Sequence, residues 1–150
     1  MIKYNTSKAN RLTSVTLPDP DGGGSQTSPV TSYSYDALNR LTTIADASSG
    51  ETHFHYDAAS NLVSLLDPVG NETSWAYDAL NRVTMETNEL SATRSFYYDG
   101  ANNITRRIDR NGRTIQFAYD ELNRQISEQW REDAAPAPEI AIATTTQGGA

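Results

Sequence analysis

The dipeptide Tyr-Asp recurs at 35–36, 56–57, 77–78, 98–99 and 119–120 and nowhere else in the chain. Every step is 21 residues, so four consecutive intervals agree without an insertion or deletion. A fixed period of this length is the signature of a repeat architecture, in which a unit too small to bury its own apolar side stacks on its neighbours. A second aromatic stands two positions before each tyrosine: Tyr33, Phe54, Trp75, Phe96 and Phe117. Ten of the 13 aromatic residues thus fall in two columns of the repeat. Chance does not arrange them so.

The residues after each pair align in the same register. Tyr35-Asp36 is followed by Ala37-Leu38-Asn39-Arg40-Leu41, Tyr56-Asp57 by Ala58-Ala59-Ser60-Asn61-Leu62, and Tyr77-Asp78 by Ala79-Leu80-Asn81-Arg82-Val83. Tyr98-Asp99 leads into Gly100-Ala101-Asn102-Asn103-Ile104, and Tyr119-Asp120 into Glu121-Leu122-Asn123-Arg124-Gln125. A degenerate copy precedes them, with Thr6-Ser7 in the Tyr-Asp slot and Ala9-Asn10-Arg11-Leu12 behind it. The longer gap that follows holds Pro18-Asp19-Pro20-Asp21-Gly22-Gly23-Gly24, a loop insertion. An Asp at the end of a strand accepts backbone N–H groups across a tight turn. The Asn four places after the Tyr suits the positive φ that a short hairpin loop requires. The second copy departs, with Ser60 there and Asn61 one place later, which predicts a turn shifted by one residue.

Between these turns the sequence alternates as strands do. Thr52, Phe54 and Tyr56 take one face while Glu51, His53 and His55 take the other, and Ile115, Phe117 and Tyr119 repeat the pattern. On the returning strand, Leu41 with Ala45, Leu62 with Leu66 and Ile104 with Ile108 are expected to share a face; Val83 and Thr87 make a weaker pair. A second turn closes each unit at Ala47-Ser48-Ser49-Gly50, Asp67-Pro68-Val69-Gly70 and Asp109-Arg110-Asn111-Gly112. Its counterpart Asn88-Glu89-Leu90-Ser91 lacks the Gly. Each unit is therefore two strands of about six residues. A lone hairpin is marginal in water, so successive hairpins must pair side by side, turning the aromatic columns into ladders across one antiparallel sheet.

Composition agrees with a thin sheet. Hydrophobic residues make up 37% of the 150, too few for a large central core. Twelve Lys and Arg stand against 19 Asp and Glu, a net charge of −7 that disfavours a phosphate backbone as partner. With no cysteine, disulfides and thiolate metal sites are excluded. Met1 to Leu12 has no apolar run of the signal-peptide kind, and nothing approaches the ~20 apolar residues of a membrane span. The chain is expected to be soluble, without membrane insertion. If it is exported, the signal lies elsewhere or the route needs no cleavable peptide. Three regions follow: a degenerate first repeat with its Gly/Pro-rich loop (1–34), the array (35–130), and a Pro/Ala linker (131–150) with a further strand at Glu139 to Thr146 and a loose tail.

Tyr-Asp, a short turn, Arg-Leu, then Asp-Pro-x-Gly resembles the YD or Rhs repeat family; Leu38-Asn39-Arg40-Leu41 and Asp67-Pro68-Val69-Gly70 carry the likeness best. It spans roughly residues 6 to 130. The resemblance implies an all-β fold of tandem hairpins in a curved antiparallel sheet, a segment of a hollow β-shell. In that family the shell encloses a toxic polypeptide in bacterial polymorphic toxins and toxin-complex cocoons, and teneurins use theirs for cell-surface adhesion. It implies a secreted or cell-surface location, with an enclosed polypeptide or further repeats of a longer chain as partners. Some wall-associated members are thought to contact surface carbohydrate, which makes a glycan an alternative partner.

Chemistry finds little to draw on. His53 and His55 could present two imidazoles to a metal, but Ser74, Ala76, Ser95, Tyr97, Gln116 and Ala118 at the equivalent places add no strong ligand. Glu51 could join them, yet a solvated polar face explains all three. No nucleophile–base–orienter set is evident, and the repeat accounts for nearly every Asp as a turn residue. Family members cleave themselves at a terminal Asp-Pro-x-Gly-Leu motif; Asp67-Pro68-Val69-Gly70-Asn71 matches only its start, in ordinary turn register. Trp75 and Trp130 could stack sugar rings, although a packed aromatic face is the simpler reading. The expectation is a non-enzymatic structural segment without cofactor or metal.

Overall fold

Runs of five or six residues rich in Thr, Val, Ile and aromatics, each bounded by an Asp-, Asn- or Ser-led turn, suit a pleated half-buried surface. In the computed structural model, which describes residues 1–24 and 26–131, almost every such run is a strand. They are β1 (Lys3–Thr6), β2 (Leu12–Thr16), β3 (Val30–Tyr35), β4 (Leu41–Ala45), β5 (Glu51–Tyr56), β6 (Leu62–Leu66), β7 (Glu72–Tyr77), β8 (Val83–Thr87), β9 (Thr93–Tyr98), β10 (Ile104–Ile108), β11 (Thr114–Tyr119) and β12 (Gln125–Arg131). They form one open, curved antiparallel sheet in strict chain order. The degenerate first copy is a hairpin of the same sheet, β1 with β2. The Pro/Ala linker and the strand expected at Glu139 to Thr146 lie outside the described residues.

Every hairpin closed by a Tyr-Asp turn, or by its Thr-Ser counterpart, carries a β-bulge. Leu41 faces Tyr35 and Thr43 faces Ser34, leaving Thr42 unopposed. Val63, Thr84, Thr105 and Ile126 are its equivalents, and Thr13 that of the first hairpin. A bulge bends and twists its strand. It also changes the faces expected from the sequence. Leu41 lies on the aromatic face opposite Tyr35, whereas Ala45 lies opposite Ser32 on the polar one. The expected pairs Leu41/Ala45, Leu62/Leu66 and Ile104/Ile108 are therefore split, and the aromatic face takes Ile44 and Leu65 instead.

The ring ladder is interrupted for a related reason. Phe54 is opposed by Leu65, and Leu65 in turn by Thr73 rather than Trp75. Trp75, Glu86 and Arg94 follow the same order, as do Phe96, Arg107 and Ile115. Each aromatic thus stands two residues along the strand from its predecessor, with a non-aromatic strand between. With strands ~4.8 Å apart and a ~3.3 Å rise per residue, this displacement inclines the strands by roughly 35°, the range in which sheets coil. Among the described residues only Ile115 is a fully buried hydrophobic side chain. The rest of the apolar surface is half-buried, as expected for one layer.

Candidate interaction surface on the turns and faces

Each Tyr-Asp turn is built around its carboxylate. Asp36 N–H donates to Arg40 O, and Asn39 N–H returns to Asp36 O. Asp36 Oδ1 accepts the N–H groups of Leu38 and Arg40, both at 2.9 Å, while Oδ2 accepts Arg40 Nε at 2.7 Å. Asp78 with Arg82 and Asp120 with Arg124 repeat this arrangement. In the other two copies an Asn amide replaces the guanidinium: Asn61 on Asp57 and Asn103 on Asp99. Asn39, Asn81, Asn102 and Asn123 adopt positive φ, between 59° and 71°. The second copy is not shifted: Ser60 takes that conformation at φ 69°, and Asn61 is the capping residue one place on.

The carboxyls are correspondingly acidic. The Arg40 backbone N–H holds Asp36 below the ordinary carboxylate value, and the Arg124 N–H does so for Asp120. The side chains of Asn61, Arg82 and Asn103 lower Asp57, Asp78 and Asp99.

The opposite edge, whose four turns stand where the sequence places them, uses the same device. Asp46, Asp67 and Asp109 each accept the N–H groups two and four residues on. Asn88 does so in the turn that lacks Gly, with Ser91 at φ 61°. In the turn before β5 it is Ser49, not Gly50, that takes positive φ. Gly50 serves a different need, since a Cβ there would stand 2.6 Å from the Asp46 carboxylate and 3.1 Å from Pro68 of the next turn on that edge. The signal was present: Asp or Asn at 36, 46, 57, 67, 78, 88, 99, 109 and 120 alternates steps of 10 and 11.

What the sequence reading missed altogether is how one unit is fastened to the next. Arg40 Nη1 reaches the Asp57 carbonyl at 2.9 Å and Ser60 Oγ at 3.2 Å. Arg82 Nη1 reaches the Asp99 carbonyl and Asn102 Oδ1. Asn61 donates to Asn81 Oδ1, Asn103 to Asn123 Oδ1, and Arg11 to Asn39 Oδ1. Six consecutive turns are thereby tied in a line by five links. The tyrosines add a second fastening. The hydroxyls of Tyr35, Tyr77, Tyr98 and Tyr119 donate to the carbonyls of Leu12, Leu62, Val83 and Ile104, the residues that follow the preceding turn. This bond spans 23 residues at Tyr35 and 15 elsewhere, so the Gly/Pro loop is accommodated without disturbing it. Burial raises the pKa of Tyr77 and Tyr98 above that of a free phenol. Arg11, Arg40 and Arg82 lie over the rings of Tyr35, Tyr56 and Tyr98 at 4.5–5.2 Å. The clue lay in comparing copies, because the second aromatic is Tyr in all five whereas the first varies among Tyr, Phe and Trp.

The faces present few converging groups. On the polar face His53 pairs with Glu51 at 3.2 Å and meets Thr43 Oγ1, while His55 meets Ser64 Oγ. No group of three or more His, Cys, Asp or Glu among the described residues is arranged to hold a metal. Arg106 stacks on Tyr97, 3.7 Å from the ring centroid. On the aromatic face Tyr33, Phe54, Trp75, Phe96 and Phe117 are half-buried. Glu86, opposite Trp75, is bound by Arg94 and Arg110. Trp130 lies beside buried Ile115 but is itself 60% exposed. Asp67 sits in an ordinary capped turn, its carboxylate occupied by Val69 and Asn71.

The profile of the family described as RHS Repeat matches residues 35–72, 56–93 and 98–129. No curated protein matches the chain. Among solved structures, the crystal structure of TcdB2-TccC3 is similar over 84% of this chain, with a TM-score of 0.64 and 16% identity. The crystal structure of TcdB2-TccC3-TEV is similar over 84%, with a TM-score of 0.59 and 15% identity. The chain spans 7% of the length of each. At such identity the likeness concerns the fold.

Proposed function

This chain belongs to the RHS Repeat family, and from that premise we propose that it is a non-catalytic structural segment of a larger β-shell that encloses or presents another polypeptide. The observation that carries this reading is the line of turn-to-turn bonds. Polar side chains of successive turns are spent on fastening one hairpin to the next, and the sheet they hold is curved, with Ile115 as the one fully buried hydrophobic side chain among the described residues. Such a layer is stabilised by adding units. Its cargo is a toxic polypeptide of a secreted or surface-exposed bacterial system, with further repeats of a longer chain completing the wall.

An antiserum raised against the array and applied to the native source tests this. It is expected to detect a polypeptide much longer than 150 residues. Under native conditions a second segment of that polypeptide should resist protease until the shell is unfolded. A free array with no protected segment would overturn the reading. Exposed Trp130 on the aromatic face favours a second role, contact with a surface glycan. Folded chain that binds nothing above background on a glycan array would remove it.

A further inference from the structure

The outermost strands, β1 and β12, have one neighbour each among the described residues, and their ends are complementary. At the β12 end stands Arg124. Its Nε holds Asp120 as its counterparts hold theirs, yet its side chain is 72% exposed against 22% for Arg40 and Arg82. The difference lies in the next turn, which gives Arg40 and Arg82 a backbone carbonyl and a side-chain acceptor three residues on. Among the described residues nothing offers that pair to Arg124. The turn at the β1 end does. Ser7 O accepts Asn10 N–H as Asp99 O accepts that of Asn102, and Asn10 has the same left-handed conformation, φ 57° against 71°.

Three further features agree. Strand directions alternate, so a strand added beside β12 runs the way β1 runs. Tyr4, opposite Val15, continues the aromatic column as Phe54 does opposite Leu65. Residues 1–16 carry Lys3, Lys8 and Arg11 and no acid, while Asp120, Glu121 and Glu128 lie at the other end beside Arg124 and Arg131.

We propose that the outer edge of β12 takes β1 of a second copy of this chain as its next strand, with Arg124 of the first copy reaching Ser7 O and Asn10 Oδ1 of the second. The inference rests on the turn and strand geometry of this chain by itself; further repeats of a longer polypeptide, as proposed above, take the same place beside β12 and exclude the second copy. The two patches differ, so each added copy leaves one free end of either kind and the assembly is linear and open. Extending the pairing of Ser64 with Ser74 and Leu65 with Thr73 sets Ser127 opposite Lys3 and Glu128 opposite Ile2. One element of the fit is missing. Thr6 stands where the other copies have Tyr, so no hydroxyl reaches the Gln125 carbonyl and no ring lies under Arg124. The contact is accordingly reversible.

The absence of cysteine makes the register testable. Within one copy Lys3 and Ser127 are eleven strand spacings apart, roughly 50 Å along the sheet. Directly opposed residues on adjacent strands have Cβ atoms ~4.5–5.5 Å apart, close enough to approach disulfide geometry. Under mild oxidation, Lys3→Cys chains mixed with Ser127→Cys chains should give a mixed covalent dimer. The doubly substituted chain should give a ladder of multimers. In sedimentation equilibrium Thr6→Tyr should tighten association about tenfold and Arg124→Ala weaken it about tenfold, each the worth of a single good hydrogen bond. Lys3→Cys chains that cross-link to themselves as readily as to Ser127→Cys would overturn the proposal. So would a folded Thr6→Tyr chain that associates no more tightly than the unsubstituted one.

Discussion

The contrast between the two aromatic columns is a matter of one oxygen atom. Both columns lie on the same face and both are half-buried, but in four of the five copies the second donates a hydroxyl to the carbonyl that follows the preceding turn. The bond from Tyr77 to the Leu62 carbonyl is 2.8 Å long. Tyr77→Phe leaves that carbonyl short of a donor, and a lost hydrogen bond of this kind costs about 1 kcal/mol. Trp75→Phe keeps an aromatic ring against Glu86 and gives up area alone. Urea melts should therefore rank the tyrosine change as the more damaging per atom removed. Equal midpoints for Tyr77→Phe and the unsubstituted chain would refute the assignment. Asn and Ser at the fourth position show a second residue-scale effect. Ser91 holds φ at 61°, a conformation that costs an L-residue roughly 1–2 kcal/mol relative to glycine. Ser91→Gly should raise the urea midpoint, despite the extra freedom it gives the unfolded chain.

At the scale of the hairpin, what decides the fold was largely legible and what decides the faces was not. Tyr-Asp and the Asn or Ser after it specify the turn chemically, so the 21-residue hairpin and most of its strand limits follow from sequence. The bulge has no such mark. Thr13, Thr42, Val63, Thr84, Thr105 and Ile126 are all β-branched, but so are many ordinary strand residues, and one unopposed residue sends Leu41 and Ala45 to opposite faces. The shared build of the opposite-edge turns was obscured because Gly70 and Gly112 take the positive-φ place in two of them while Ser49 and Ser91 take it in the others. The side-chain links were illegible for another reason: Arg82 reaches the carbonyl of Asp99, 17 residues away, and no local pattern announces it. Arg82 both caps Asp78 and ties that turn to the next, so Arg82→Ala should lower stability by about 1–2 kcal/mol, as for a charge-assisted hydrogen bond. A double-mutant cycle with Asn102→Ala isolates the tie. A coupling energy near zero would mean that Arg82 acts only within its own turn.

For the molecule as a whole, stability is spread along the sheet, since Ile115 alone is fully enclosed among the described hydrophobic residues. A structure of this kind has no central reserve, and a change that touches every turn touches everything. Acid is such a change. Asp36, Asp57, Asp67, Asp78, Asp99 and Asp120 are all held below the ordinary carboxylate value by the N–H groups, amides and guanidinia of their turns. A carboxyl that is more acidic when folded stabilises the fold fully above its unfolded pKa of about 3.9. As the pH falls through that value the unfolded chain binds protons first, and stability declines until the folded value is also passed. The urea midpoint should thus be level from pH 7 to about pH 5 and fall steeply below pH 4. Asp78→Asn separates charge from geometry, because Asn88 already builds the same turn through its amide oxygen. That substitution should leave the turn in place and make the fall with acid shallower than in the unsubstituted chain. A midpoint equal at pH 3 and pH 7 would show that the turn carboxylates carry none of the stability assigned to them.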